Sequence, residues 1–197
     1  MTQIFRSHVL PLLFAAAMAT GLLAQPAQAQ GGPSPQSQFL DAVRKGKGSD
    51  AARLLSEGSS TMVNTQDDSN GETALHITAT KRDLTWTKYL LQNGADPNIA
   101  NRKKVTPLMI ATQSGFADGV EELLKYKAKV DAQNSFGETA LILAVQLHDM
   151  TMVRLLLKAG ANPDKADYSG QSARSHADRD PRARSVAELI KNGVAAD

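Results

Sequence analysis

Glu72-Thr73-Ala74-Leu75, Val105-Thr106-Pro107-Leu108 and Glu138-Thr139-Ala140-Leu141 begin 33 residues apart, and the next step lands on Gln171-Ser172-Ala173-Arg174. Gly71, Gly137 and Gly170 precede three of these segments, with Lys104 in the remaining place. Two further columns keep the same register. One is Leu90-Leu91, Leu123-Leu124, Leu156-Leu157 and Leu189-Ile190; the other is Gly94, Gly160 and Gly193, interrupted by Lys127. Several columns in step over four copies define an internal repeat.

Each column has a physical reason. A Thr or Ser ahead of a small residue or Pro can cap the free N–H groups at a helix start, and Pro107 lacks an N–H where none is needed. A short first helix is expected to follow, as over 108–114, broken at Gly115 or a polar equivalent. In a second helix such as 150–158, Val153, Leu156 and Leu157 share one face by their spacing. Gly94, Gly160 and Gly193 supply the left-handed backbone that ends a helix. Ala95-Asp96-Pro97-Asn98 and Ala161-Asn162-Pro163-Asp164 then turn or extend, because Pro disfavours helix in the residue before it. The expected fold class is all-α.

This pattern resembles the ankyrin repeat, whose signature is a Thr-Pro-Leu-His-x-Ala box, a helix pair and a Gly-Ala-Asp-x-Asn loop. Thr73-Ala74-Leu75-His76 and Thr106-Pro107-Leu108-Met109 match the box in most places, and Gly94-Ala95-Asp96-Pro97-Asn98 and Gly160-Ala161-Asn162-Pro163-Asp164 match the loop. The resemblance covers about 36–193 and implies a slightly curved α-solenoid of about five helix-turn-helix units, with β-turn fingers projecting to one side. The units fall near 36–67, 68–100, 101–133, 134–166 and 167–193. The first contains Phe39-Leu40, Ala42-Val43, Leu54-Leu55 and Gly58, and its loop over 59–70 runs three residues longer than the register. The last puts Arg174, Ser175 and His176 where inner units have apolar residues. Both ends read as caps, whose polar outer faces keep a stack soluble.

Among 197 residues, 42% are hydrophobic but only 5% aromatic, which suits close aliphatic helix packing better than a β-sandwich. With 22 Lys and Arg against 20 Asp and Glu, the globally basic field of a nucleic-acid binder is absent. The lack of cysteine excludes disulfides, thiolate catalysis, Cys-ligated metals and a lipoprotein anchor. Arg6 stands ahead of an uncharged run from Val9 to Ala24, followed by Ala27-Gln28-Ala29. These features predict a signal peptide over 1–29, cleaved after Ala29. Pro11 and Gly21 interrupt the run, which is shorter than the ~20 apolar residues of a membrane span, so no stable anchor is expected after cleavage. Residues 30–35 read as a disordered leader, and the expected location is the periplasm or the exterior.

The search for chemistry yields little. The resemblance implies that His76, in the box, hydrogen-bonds neighbouring turns. His148 is expected to be exposed at a helix break, and His176, with Asp178 and Asp180, to lie on the solvated face of the last cap. No histidine recurs in register, so no set converges on a metal. Neither a nucleophile elbow nor a phosphate-cradling glycine loop is present, and Asp67-Asp68 and Glu121-Glu122 have no convergent partner. No catalytic, cofactor or metal site is expected, and no enzyme activity. A metal-dependent hydrolase built on His148 and His176 is the remote alternative.

Loops held in a row by a rigid scaffold are natural recognition surfaces. The resemblance places such a surface on the finger tips and the exposed face of each first helix. By the register the tips are Ser69-Asn70, Arg102-Lys103, Ser135-Phe136 and Tyr168-Ser169, and the helix positions Thr80-Lys81, Gln113-Ser114 and Gln146-Leu147. The expected protein-binding residues are Asn70, Lys81, Arg102, Lys103, Gln113, Phe136, Gln146, Leu147 and Tyr168. Phe136 and Tyr168 stand out, because aromatics and Arg are the usual interface anchors. Arg102, Lys103 and Lys104 make a basic tip able to steer an acidic partner, and Trp86 is placed in the core or a groove. The function these features suggest is an exported, monomeric module that binds a protein partner, and not nucleic acid. An inhibitor or immunity-type protein that blocks an exported enzyme is the alternative.

Overall fold

Hydroxyl side chains start the helices as the register requires. Thr106 Oγ1 accepts the Met109 N–H and Thr139 Oγ1 the Ile142 N–H, each at 3.3 Å, and Ser172 Oγ accepts the Ser175 N–H at 3.2 Å. The computed structural model describes residues 32–193, so the signal-peptide reading lies outside the described residues. Within them the helices run in five pairs: α1 (Pro35–Arg44) with α2 (Gly48–Glu57), α3 (Ala74–Lys81) with α4 (Leu84–Gln92), α5 (Pro107–Gln113) with α6 (Ala117–Lys125), α7 (Ala140–Gln146) with α8 (Met150–Lys158), and α9 (Ala173–Arg179) with α10 (Arg184–Asn192). First helices stack in the order α1, α3, α5, α7, α9, and second helices α4, α6, α8, α10 stack behind them. The fold is an all-α solenoid of helix pairs.

The leucine column faces inward. Leu90, Leu123 and Leu156 are fully buried, and Ile190 nearly so. Lys127 adopts φ +67° where Gly94 and Gly160 both have +85°, so the backbone, not the residue type, recurs at this helix end. Asp83 and Asp149 cap α4 and α8 by accepting N–H bonds from Trp86 (3.0 Å) and Met152 (3.1 Å). Phe116 takes the equivalent place before α6. Its ring is buried and fills the space beside Gly119, where a Cβ would stand 2.2 Å from it.

Both ends depart from the simple register. The first helix begins at Pro35, capped by Ser34, and so starts inside the stretch read as leader. Gly58 keeps φ −81° instead of turning left-handed, and the three extra loop residues form a 3-10 turn, Met62–Asn64, that buries Met62 and Val63. In the last unit a second 3-10 turn, Pro181–Ala183, joins α9 to α10 and buries Ala183. Each end therefore closes with its own apolar plug.

Polar side chains fix one unit to the next. Asn64 Oδ1 accepts the Asp96 N–H at 2.8 Å and its Nδ2 donates to the Gly94 carbonyl at 3.2 Å. Asn98 repeats this with the Lys129 N–H (2.7 Å) and the Lys127 carbonyl (3.2 Å), and Asp131 accepts the Asn162 N–H at 2.9 Å. His76, fully buried, does the same from a helix. The Thr73 N–H donates to its Nδ1 at 3.1 Å, which leaves the proton on Nε2, 2.9 Å from the Val105 carbonyl of the next unit.

Two stability predictions follow from this packing. Leu123→Ala and Leu156→Ala should each lower the folding free energy by about 2–5 kcal/mol, measured by urea denaturation. Burial holds the His76 pKa below its ordinary 6.5, so the unfolded chain takes up that proton first as pH falls. The stability this group provides is present above pH 6.5 and is lost as pH drops towards the folded-state value. From about pH 7.5 to 5.5 the urea midpoint should fall further in the parent protein than in His76→Gln. Equal slopes would show that His76 is not held neutral.

Candidate protein-interaction surface

The fingers are built from side-chain-closed turns. Asn101 Oδ1 accepts the N–H groups of Lys103 (2.9 Å) and Val105 (3.0 Å); Asn134 Oδ1 accepts those of Phe136 (2.8 Å) and Glu138 (3.0 Å); Asp167 Oδ1 accepts those of Ser169 (2.8 Å) and Gln171 (2.9 Å). In the first finger the role is split, Asp67 Oδ1 accepting the Ser69 N–H (2.8 Å) and Asn70 Oδ1 the Glu72 N–H (2.9 Å), and the Ser69 hydroxyl together with the Arg44 guanidinium holds the Asp67 carboxyl well below the usual range. Such loops pin the backbone while leaving the tip side chains outside.

A ladder of main-chain bonds then ties each finger to the next. The Arg102 N–H donates to the Asn70 carbonyl at 2.9 Å, Ser135 to Lys103 at 3.0 Å, and Tyr168 to Phe136 at 3.0 Å. Four of the expected contact residues, Asn70, Arg102, Lys103 and Phe136, thus share one continuous strip with Tyr168. Close approach needs small residues beneath it. A Cβ on Gly137 would lie 2.5 Å from the Tyr168 nitrogen and 2.6 Å from its ring, and one on Gly71 2.9 Å from the Arg102 nitrogen. Arg102 also reaches back to the Asp68 carbonyl. Phe136 and Tyr168 remain 69% and 67% exposed.

The helix positions divide. Lys81 Nζ donates to the Arg44 carbonyl at 2.7 Å and the Val43 carbonyl at 3.3 Å, closing the end of α1. Ser114 Oγ does the same for the Ala79 carbonyl of α3 at 3.1 Å. Leu147, next in this column, has no polar atom to offer and is 52% exposed. Gln113 is exposed, and Gln146 leans towards Glu138, with Nε2 3.4 Å from Oε1. Beside Gln146 a cleft of about 340 Å³ is lined by Val145, His176, Arg179, Asp180 and Pro181. The tips form one surface; Lys81 serves the scaffold.

His148 and His176 differ from the sequence reading, whereas His76 bonds neighbouring turns as expected. His148 is half-buried, with Nε2 2.8 Å from Asp180 Oδ2, and so braces the last unit. Arg182, with help from His148, holds the Asp180 carboxyl low. His176 is not on a solvated face: its side chain is 27% exposed, and Nε2 lies 3.8 Å from Asp167 Oδ2. Asp178 points to solvent elsewhere. Among the described residues no three His, Cys, Asp or Glu side chains form a group able to hold a metal ion. Trp86 lies half-buried against Gly48 and edge-on to Tyr89, with ring centres 5.0 Å apart. Sequence reasoning missed the staples Asn64, Asn98 and Asp131, although the last Asn of the Gly-Ala-Asp-x-Asn loop was a visible signal for Asn98.

Stacked helix pairs that present a hydrogen-bonded row of loops define an α-solenoid repeat scaffold. Models of ankyrin repeats match residues 39–134 as three copies and 136–168 as one, and the chain belongs to the ankyrin-repeat family. It is 35% identical over 123 residues to ANK repeat-containing protein nipk-1 of Caenorhabditis elegans, covering 54% of this chain and 20% of the relative. It is 34% identical over 104 residues to the human transient receptor potential cation channel subfamily A member 1, covering 52% and 9%. To neurogenic locus notch homolog protein 1 of Xenopus laevis it is 32% identical over 150 residues, covering 75% and 6%. The chain thus spans a fifth or less of these relatives' length. Ankyrin repeats generally mediate protein–protein interaction, and proteins built from them are typically scaffolds without enzyme activity.

Gly137→Ala tests the ladder. Lys104 holds φ +56° at the equivalent place, so the left-handed backbone alone is tolerable; the cost at Gly137 comes from the Tyr168 backbone above it. The substitution should destabilise by about 1–3 kcal/mol in urea. It should also raise hydrogen exchange at the Tyr168 amide, whereas an unchanged Tyr168 amide would remove the contact.

Proposed function

We propose that this chain is an exported interaction module that docks on a protein partner through its finger tips and the adjoining face of its first helices. One observation carries the reading: Phe136 and Tyr168 expose 69% and 67% of their surface on neighbouring fingers joined by a 3.0 Å main-chain bond. Rigid, exposed aromatics lose little conformational freedom on binding and bury large area, which makes them efficient anchors. Leu147 and Gln146 add to the surface from the far end of α7, and Asn70, Arg102 and Lys103 continue it along the fingers. The apolar segment over 9–24 with Ala27-Gln28-Ala29 supports export to the periplasm or beyond.

The test is affinity capture from the envelope fraction with the tagged protein, whose mature N-terminus is expected at Gln30. Phe136→Ala combined with Tyr168→Ala should reduce the captured partner by at least about tenfold while leaving the thermal melt in place. Capture unchanged by the double variant would remove the proposed face.

A further inference from the structure

The cations of the finger row stand together on the second finger, at Arg102, Lys103 and Lys104. On the first finger Asp67 is bonded by Arg44 and Ser69, and Arg102 is engaged with the Asp68 carbonyl. At the base of the third finger Glu138 receives Asn134 Nδ2 at 2.8 Å and Gln146 Nε2 at 3.4 Å. On the fourth, Asp167 accepts two backbone N–H groups. Lys103 and Lys104 are different. Both are exposed, and neither forms an ion pair among the described residues. The Lys103 carbonyl accepts the Ser135 N–H at 3.0 Å, so its finger lies directly beside the one bearing Phe136. Phe136 in turn is bonded through its carbonyl to Tyr168. Two unpaired ammonium groups therefore sit one finger away from Phe136 and two from Tyr168, on a backbone that fixes the order of charge and apolar surface.

We propose that the occupant of this strip is an acidic protein segment with an apolar side chain, its carboxylates against Lys103 and Lys104 and its apolar group between Phe136 and Tyr168. The proposal rests on the finger-tip reading above and adds the chemistry of the partner. Apolar anchors supply the affinity. Exposed charges contribute little to it but select the partner and speed encounter, so association is salt-sensitive. A cationic segment would meet two ammonium groups on a finger, 101–105, that carries no carboxylate of its own. A second copy of this chain, or nucleic acid, would also offer negative charge; the experiment separates these.

Three fluorescent peptides of equal length serve as probes in anisotropy titrations with the protein. One carries four Glu around a central Leu-Phe pair in a Gly-Ser background; the second has Lys for Glu; the third has Ser for Leu and Phe. The Glu/Leu-Phe peptide should bind at least about tenfold tighter than either control. Lys103→Glu with Lys104→Glu should reverse the preference towards the Lys peptide, leaving circular dichroism and the melt unchanged. Equal affinity for all three peptides, or for the Glu and Lys peptides, overturns the proposal, as does a single-stranded RNA of similar length that binds as tightly as the acidic peptide. A concentration-dependent dimer lost in the double lysine variant also overturns it, the occupant then being a second copy. If partner capture responds to Phe136→Ala and Tyr168→Ala but not to the lysine variants, the acidic occupant falls and the finger-tip reading stands. If it responds to neither, both fall.

Discussion

Helices of seven to ten residues cannot hold themselves in water, and every α-helix among the described residues is of that length. Nucleating a helix fixes several residues for one hydrogen bond, so isolated helices below about 12–15 residues are marginal at best. What holds them is burial against the neighbouring pair, and that burial sets the rest. A unit covers its apolar face only if the next unit arrives at the same height and angle, which is why the chain returns to an equivalent position every 33 residues. Leu90, Leu123 and Leu156 are the points where this return is enforced.

Apolar contact fixes distance better than register, since hydrophobic association has little direction. Direction comes from hydrogen bonds that cross unit boundaries. Asn64, Asn98 and Asp131 each bond a main-chain group in the following unit's loop, and His76 reaches the Val105 carbonyl from inside a helix. At the opposite edge the finger ladder repeats the constraint with main chain alone. A unit sliding along its neighbour would break bonds on both edges at once. The finger tips inherit that rigidity, and a rigid tip is what makes an exposed side chain useful for recognition.

Much of this was legible in the residues. The hydroxyl caps, the left-handed helix ends and the leucine column are local consequences of residue type at fixed spacing, so periodicity exposed them. The exposure of Phe136, Leu147 and Tyr168 followed from the same register. The ends were less legible because no second copy disciplines them: the 3-10 turn that buries Met62 and Val63, and the one that buries Ala183, arise where the register has slipped. His148 was misread for a related reason. Its partner Asp180 lies 32 residues away in the atypical last unit, and no inner unit repeats the pair. Lys81 was assigned to a partner surface because its column looks solvent-facing, yet its long stem brings the ammonium onto the end of α1.

Two kinds of out-of-place aromatic separate scaffold from function. Phe116 stands where Asp83 and Asp149 cap their helices, so it forfeits a cap worth about 0.5–2 kcal/mol. The chain accommodates it: Gly119 leaves the hollow that its ring fills, and burial of a Phe returns about 1.5–3 kcal/mol. Phe136 and Tyr168 also stand among polar equivalents, Asn70 and Lys103 for the first and Arg102 and Ser135 for the second. Tyr168 rests one edge on Gly137, but neither ring is received by a hollow, and both stay mostly in water. Folding gains from Phe116 and gains little from the other two. An aromatic side chain that stability does not explain, held on a backbone that cannot move it out of the way, is most simply explained by something that covers it.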